Sequence, residues 1–124
     1  MKKILIVEDD TATQAIYQEK LRHEGYEVRV TGSGSDSLSM ISKDPPDLLI
    51  LDIMLGGKLN GFDVLEDIKK NPHTKHIPVL ILTNLGSEEK IAKKIGAVEY
   101  LIKANTSLEE VAGKVKEILD REMN

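Results

Sequence analysis

The chain has 124 residues, with 17 Lys and Arg against 21 Asp and Glu, a formal net charge of −4, and 40% hydrophobic and 31% charged residues. That length suits one domain, residues 1–124, with the balance of an ordinary globular protein. The acidic balance and the four aromatics (Tyr17, Tyr26, Tyr100, Phe62) argue against a basic or base-stacking nucleic-acid surface, and the lack of cysteine excludes disulfides, thiolate nucleophiles and Cys-ligated metals.

The opening Met1-Lys2-Lys3 mimics the start of a signal peptide, but its apolar run, residues 4–7, stops at Glu8-Asp9-Asp10, short of the ~7–15 residues an h-region needs. No run approaches the ~18 apolar residues of a membrane span, so the expected location is the cytoplasm. Residues 4–7 read instead as a buried strand, since they are continuously apolar rather than alternating. Asp10 is placed to cap a helix starting at Thr11, with Ile16, Tyr17 and Leu21 on its apolar stripe. Glu27-Val28-Arg29-Val30 alternates and belongs at a sheet edge.

Thr31-Gly32-Ser33-Gly34 resembles the start of a dinucleotide fingerprint, but Ser37 stands where the third Gly belongs. It reads as a loop into a helix carrying Leu38 and Ile41. After Pro45-Pro46 comes the apolar run 48–51, then Gly56-Gly57 and Asn60-Gly61, then a helix with Phe62, Leu65 and Ile68. His73 and His76, between Asn71-Pro72 and Pro78, read as solvated loop residues rather than a metal pair. Residues 79–82 form the next strand. A helix over 87–95 comes after it, with Ile91 and Ile95 on its stripe and Lys90, Lys93 and Lys94 on its solvated face. Beyond Gly96, residues 100–102 make a last strand. Leu108, Val111, Ala112, Val115, Ile118 and Leu119 mark a final helix ending within 120–124, preceded by a capping box at Thr106-Ser107-Leu108-Glu109. The order is βα five times: an α/β fold of three layers, with a five-stranded parallel sheet between helices on both faces.

The residues at the strand ends carry the chemistry. The first strand ends in Glu8-Asp9, the third in Asp52, the fourth in Thr83 and the fifth in Lys103. Parallel strands end on one edge, where ligands bind, so these groups are expected in one pocket. Two carboxylates ~4 Å apart repel by about 4 kcal/mol at an effective dielectric of 20. Three of them call for a cation or a raised pKa. Hard oxygen ligands without His or Cys suit Mg²⁺. With Lys103 and the Thr83 hydroxyl beside it, such an ion makes a phosphoryl site in which Asp52 is the nucleophile and Glu8 and Asp9 are metal ligands. Singly, an Asp after a strand is ordinarily a cap, a Lys a surface charge and a Thr structural. The ordered set is what carries weight.

At these residues the sequence resembles the receiver domain of two-component response regulators. The resemblance rests on Ile4-Leu5-Ile6-Val7-Glu8-Asp9-Asp10, on residues 47–55 running to Asn60-Gly61-Phe62, on Pro78-Val79-Leu80-Ile81-Leu82-Thr83, and on Gly96-Ala97 with Tyr100-Leu101-Ile102-Lys103. It implies a flavodoxin-like strand order of 2-1-3-4-5 and a phosphoryl group received on Asp52 from a histidine kinase or histidine phosphotransfer protein. Mg²⁺ would be held by Glu8, Asp9, Asp52 and the backbone carbonyl of Met54. Thr83 and Lys103 would bind the phosphoryl oxygens, and Thr83 and Tyr100 would form the switch. Three features depart from the family pattern. Ala104 succeeds Lys103 where Pro is usual, the loop 56–61 is one residue longer, and Asn84 replaces a small residue after Thr83.

The expected function is a stand-alone receiver, monomeric or weakly dimeric when phosphorylated, that signals to a target protein without binding DNA or membrane. It would be no enzyme beyond catalysing its own phosphorylation and dephosphorylation. A small Mg²⁺-dependent phosphohydrolase fits less well, because such enzymes carry Asp-x-Asp after their first strand. A phosphorylation-independent adaptor would have no use for the complete acidic and phosphate-binding set.

Overall fold

The computed structural model describes residues 1–122; Met123 and Asn124, within the expected end of the last helix, lie outside the described residues. In chain order the elements are β1 (Lys3–Val7), α1 (Thr11–His23), β2 (Glu27–Thr31), α2 (Gly34–Lys43), β3 (Leu48–Leu51), α3 (Gly61–Lys70), β4 (Val79–Thr83), α4 (Glu89–Ile95), β5 (Glu99–Ile102), a single 3₁₀ turn (Lys103–Asn105) and α5 (Leu108–Glu122). The five strands form one parallel sheet of order β2-β1-β3-β4-β5. This is the flavodoxin-like α/β fold expected from the sequence.

The continuous apolar runs of β1, β3 and β4 are explained by burial on both faces, whereas β5, at the edge opposite β2, is mostly half-buried. Successive side chains of a strand point to opposite sides. Leu5, Val7, Leu49, Leu51, Val79 and Ile81 pack with Ile41, Val64, Leu65, Ile68 and Ala92 from α2, α3 and α4. Ile4, Ile6, Leu48, Ile50, Leu80 and Leu82 pack with Tyr17, Leu21, Val111, Val115 and Ile118 from α1 and α5. β2 lies at one edge, and its alternation is visible in a half-covered strand.

The buried stripes of α1 and α4 are narrower than the apolar spacing suggests. Ile16 and Ile91 are each 52% exposed, and Leu108 at the start of α5 is 38% exposed. In α1 the buried stripe is Tyr17 and Leu21, four residues apart, and Ile16 is turned roughly 100° from Tyr17 around the helix. In α4 only Ala92 is fully buried.

The capping box of α5 is shifted by one residue. The Ser107 N–H donates to Glu110 Oε1 at 3.0 Å and the Glu110 N–H to Ser107 Oγ at 3.1 Å. The Thr106 hydroxyl instead turns back and donates to the Ile102 carbonyl at 2.8 Å, and Glu109 pairs with Lys20 of α1 at 2.5 Å. Asp10 caps α1 as expected, accepting from the Thr13 N–H at 2.9 Å.

Candidate functional site

The register of the sheet assembles the site. Val7 of β1 lies opposite Leu51 of β3, Leu51 opposite Ile81 of β4, and Thr83 opposite Ile102 of β5. Glu8, Asp52, Thr83 and Lys103 therefore emerge along one edge. The Asp52 N–H donates to the Val7 carbonyl at 3.0 Å, which fixes the acid at the end of β3 against β1. On the other side the start of α3 closes on Asp52. A Cβ on Gly61 would lie 2.2 Å from the Asp52 carbonyl oxygen and 2.4 Å from the Ile53 Cα, so only glycine allows this approach. Asn60 caps α3 through a reciprocal pair with Asp63, at 3.0 and 2.9 Å.

Glu8, Asp52 and Thr83 are all buried, with Glu8 at 4% and Asp52 at 5% exposure. The Lys103 ammonium lies between the two acids. It donates to Asp52 Oδ2 at 2.6 Å and also to Glu8 Oε1. The second oxygen of each acid meets a backbone amide. Asp52 Oδ1 accepts from the Met54 N–H at 2.9 Å, and Glu8 Oε2 from the Asp10 N–H at 3.0 Å. Burial raises the Glu8 carboxyl above the usual range, against the opposing hydrogen bonds of Lys103 and Asp10. Burial also acts strongly on Lys103, pulling its ammonium down, but the hydrogen bonds and charges of Asp52 and Glu8 outweigh it and hold the group above its ordinary value. Lys103 thus stays charged.

Asp9 is exposed and turned toward the longer loop, where it accepts from the Gly56 N–H at 3.3 Å. That loop is braced from the far side: a Cβ on Gly34 would lie 2.8 Å from the Leu59 carbonyl oxygen. Among the described residues no three Asp, Glu, His or Cys side chains stand together in an arrangement that could by itself hold a metal ion. The donor set still fits Mg²⁺, which takes one or two carboxylates and keeps several waters. Two buried carboxylates, Glu8 and Asp52, face the one Lys103 ammonium, with the exposed Asp9 beside Glu8 in the chain, and an oxygen-only set with excess negative charge is what a hard divalent ion requires.

Thr83 keeps its hydroxyl proton available, since its Oγ1 accepts from the Leu85 N–H at 3.3 Å. Tyr100 is buried, and its hydroxyl donates to the Leu85 carbonyl. Burial raises its phenol, which keeps it a neutral donor. Met54, two residues past Asp52, is 57% exposed at the mouth. The Lys103–Ala104 bond is trans, as is every other peptide bond among the described residues. Two further supports escape sequence reasoning. The Gln14 side chain donates to the Glu8 carbonyl, and the Ala104 N–H donates to Asn84 Oδ1. Neither has a sequence signal, because each joins a side chain to a distant backbone group.

The response regulator receiver domain family matches residues 4–116. Transcriptional regulatory protein CpxR of Klebsiella pneumoniae subsp. pneumoniae is 37% identical over 123 residues, covering 98% of this chain and 50% of its own length. The chain spans about half the length of the curated relatives it matches, or less. Among solved structures, a CheY-like response regulator receiver domain protein from Methanospirillum hungatei JF-1 superimposes with a TM-score of 0.91 at 30% identity, covering 99% of this chain and 97% of that one. The Mn(2+)-bound form of response regulator Rcp1 gives 0.80 at 30% identity, covering 95% and 91%. With the sheet order, the strand-end acids and the family match in agreement, this chain belongs to the response regulator receiver family of two-component signalling.

Proposed function

We propose that this receiver is a phosphorylation switch in which Asp52 takes a phosphoryl group from a phosphohistidine of a kinase or phosphotransfer protein. The observation that carries the reading is the Lys103 ammonium seated between Glu8 and Asp52 at the buried strand ends. An Asp52 carboxylate oxygen attacks phosphorus as the P–N bond to the donor imidazole breaks, and the electron pair leaves with the imidazole. Met54 N–H holds Asp52 Oδ1 and so orients the carboxylate. Lys103 and the Thr83 hydroxyl meet the charge that develops on the phosphoryl oxygens.

Glu8, Asp9, Asp52 and the Met54 carbonyl would hold Mg²⁺, which supplies charge neutralisation and a template for the phosphoryl oxygens. The Mn(2+)-bound relative supports a divalent ion in this family. Output is by protein contact through the face of α4, β5 and α5. The net charge of −4 argues against DNA as the direct target.

Acetyl phosphate with Mg²⁺, followed by intact mass measurement, tests the reading. One phosphoryl mass is expected on the parent and none on Asp52→Asn, with slower labelling of Asp9→Ala. Efficient labelling of Asp52→Asn would sink the assignment.

A further inference from the structure

Lys103 opens the 3₁₀ turn Lys103–Asn105, and Ile102 before it makes no side-chain cap. The first amides of any helical turn have no partner within it. Ala104 finds one outside, donating its N–H to Asn84 Oδ1 at 3.0 Å from 20 positions along the chain. The far end of the turn is closed by Thr106, whose N–H donates to the Lys103 carbonyl at 3.4 Å. Because Thr83 pairs with Ile102, Asn84 and Ala104 both lie just past the last paired residues of β4 and β5. Their hydrogen bond continues the pairing of the two strands beyond the sheet edge. It joins the residue after Thr83 to the residue after Lys103.

We propose that Asn84 is a positioning residue: its side-chain carbonyl caps the turn that presents Lys103 and sets the spacing between the Lys103 ammonium and the Thr83 hydroxyl. The bond requires an N–H at position 104, which proline lacks. Asn84 and Ala104, each a departure from the usual receiver pattern, are therefore one matched pair. The role assigned to the pair rests on the phosphoacceptor reading above, whereas the cap itself does not.

Two measurements separate these. The first is hydrogen exchange of the Ala104 amide in the metal-free protein, followed by NMR. The amide is expected to be protected in the parent and in Asn84→Asp, which keeps an acceptor oxygen. In Asn84→Ala it should exchange about 3- to 10-fold faster, the loss of one ordinary hydrogen bond. Equal exchange in the parent and Asn84→Ala would overturn the cap.

The second is a double-mutant cycle on the affinity for beryllofluoride with Mg²⁺. Asn84→Ala alone should weaken binding about 3- to 10-fold, and should add nothing in the Ala104→Pro background. Fully additive effects would overturn the positioning role. If the parent bound no beryllofluoride, the phosphoacceptor reading and the positioning role would fall together, and the exchange comparison would still decide the cap.

Discussion

Met54 stands at the mouth of the site with an apolar, half-exposed side chain and no group that can orient water. Hydrolysis of an aspartyl phosphate needs a water in line with phosphorus. Met54→Asn is therefore expected to speed loss of the phosphoryl group by about 3- to 10-fold, the worth of one ordinary hydrogen bond. The decay of the phosphorylated mass after acetyl phosphate is removed would show it, and an unchanged rate would refute the solvation argument. Glu8 makes a second prediction. Its carboxyl is raised in the folded protein by burial, so folding favours the protonated form. Its stabilising contribution is full below the ordinary carboxylate pKa and is lost as pH rises through the raised value. In the presence of a chelator the urea midpoint should fall over that window, and Glu8→Gln should flatten the fall. The gathering of Glu8, Asp52, Thr83 and Lys103 along one sheet edge was legible because each comes directly after an apolar run. The hydrogen bonds from Gln14 and from Ala104 were not, since nothing in the order of residues shows which side chain meets which distant peptide group.

Elements were legible wherever one face had to be buried. The four apolar strands declare themselves as continuous runs, the stripes of α3 and α5 through helical periodicity, and β2 through its alternation. Ile16 and Ile91 misled because an apolar residue on a helix is not obliged to face the core, and α1 and α4 bury only narrow stripes. The box of α5 misled because Thr106 and Ser107 both precede an acid by three positions, and only the path of the chain after β5 selects Ser107. At this scale the close seat of α3 on β3 is the sharpest feature. Gly61→Ala places a methyl against backbone atoms that cannot turn aside, and overpacking of this kind costs about 1–3 kcal/mol. A lowered urea midpoint with slower labelling at Asp52 is expected, because the displaced backbone carries the proposed phosphoacceptor. Parent-like values for both would mean that α3 moves freely on the sheet.

Across the whole molecule, the site and the proposed output face of α4, β5 and α5 meet at β5, which leads into Lys103 and contacts the loop after Thr83. The Tyr100 ring is buried and its hydroxyl donates to the Leu85 carbonyl, which ties β5 to the loop after Thr83. Phosphorylation is expected to act by changing the population of that contact as Thr83 is drawn toward the phosphoryl oxygens. Glu99 of β5 spans the same face, 4.0 Å from Lys93 of α4 and 3.5 Å from Lys114 of α5. A coupling of about 1–3 kcal/mol would change a partner's affinity by ~5–150-fold, and the partner would favour phosphorylation equally. Amide chemical shifts with and without beryllofluoride should change at Tyr100 and along α5 in the parent, and the α5 changes should shrink in Tyr100→Phe. Shifts confined to the loops around Asp52 would place the output elsewhere.

The position of Lys103 has a consequence for what the site admits. Its ammonium is engaged before any phosphoryl group arrives, held by two buried acids at once. Occupancy is therefore an exchange of partners rather than the filling of a gap. A weakly charged anion offers Lys103 less than Glu8 and Asp52 already do, and meets their repulsion as well. Only a guest that brings dense negative charge, together with a cation to quiet the acids Lys103 leaves behind, can complete the exchange. On the proposed phosphoacceptor function, the ion pair would be a filter as well as a brace, discriminating by charge, before shape, against simple anions.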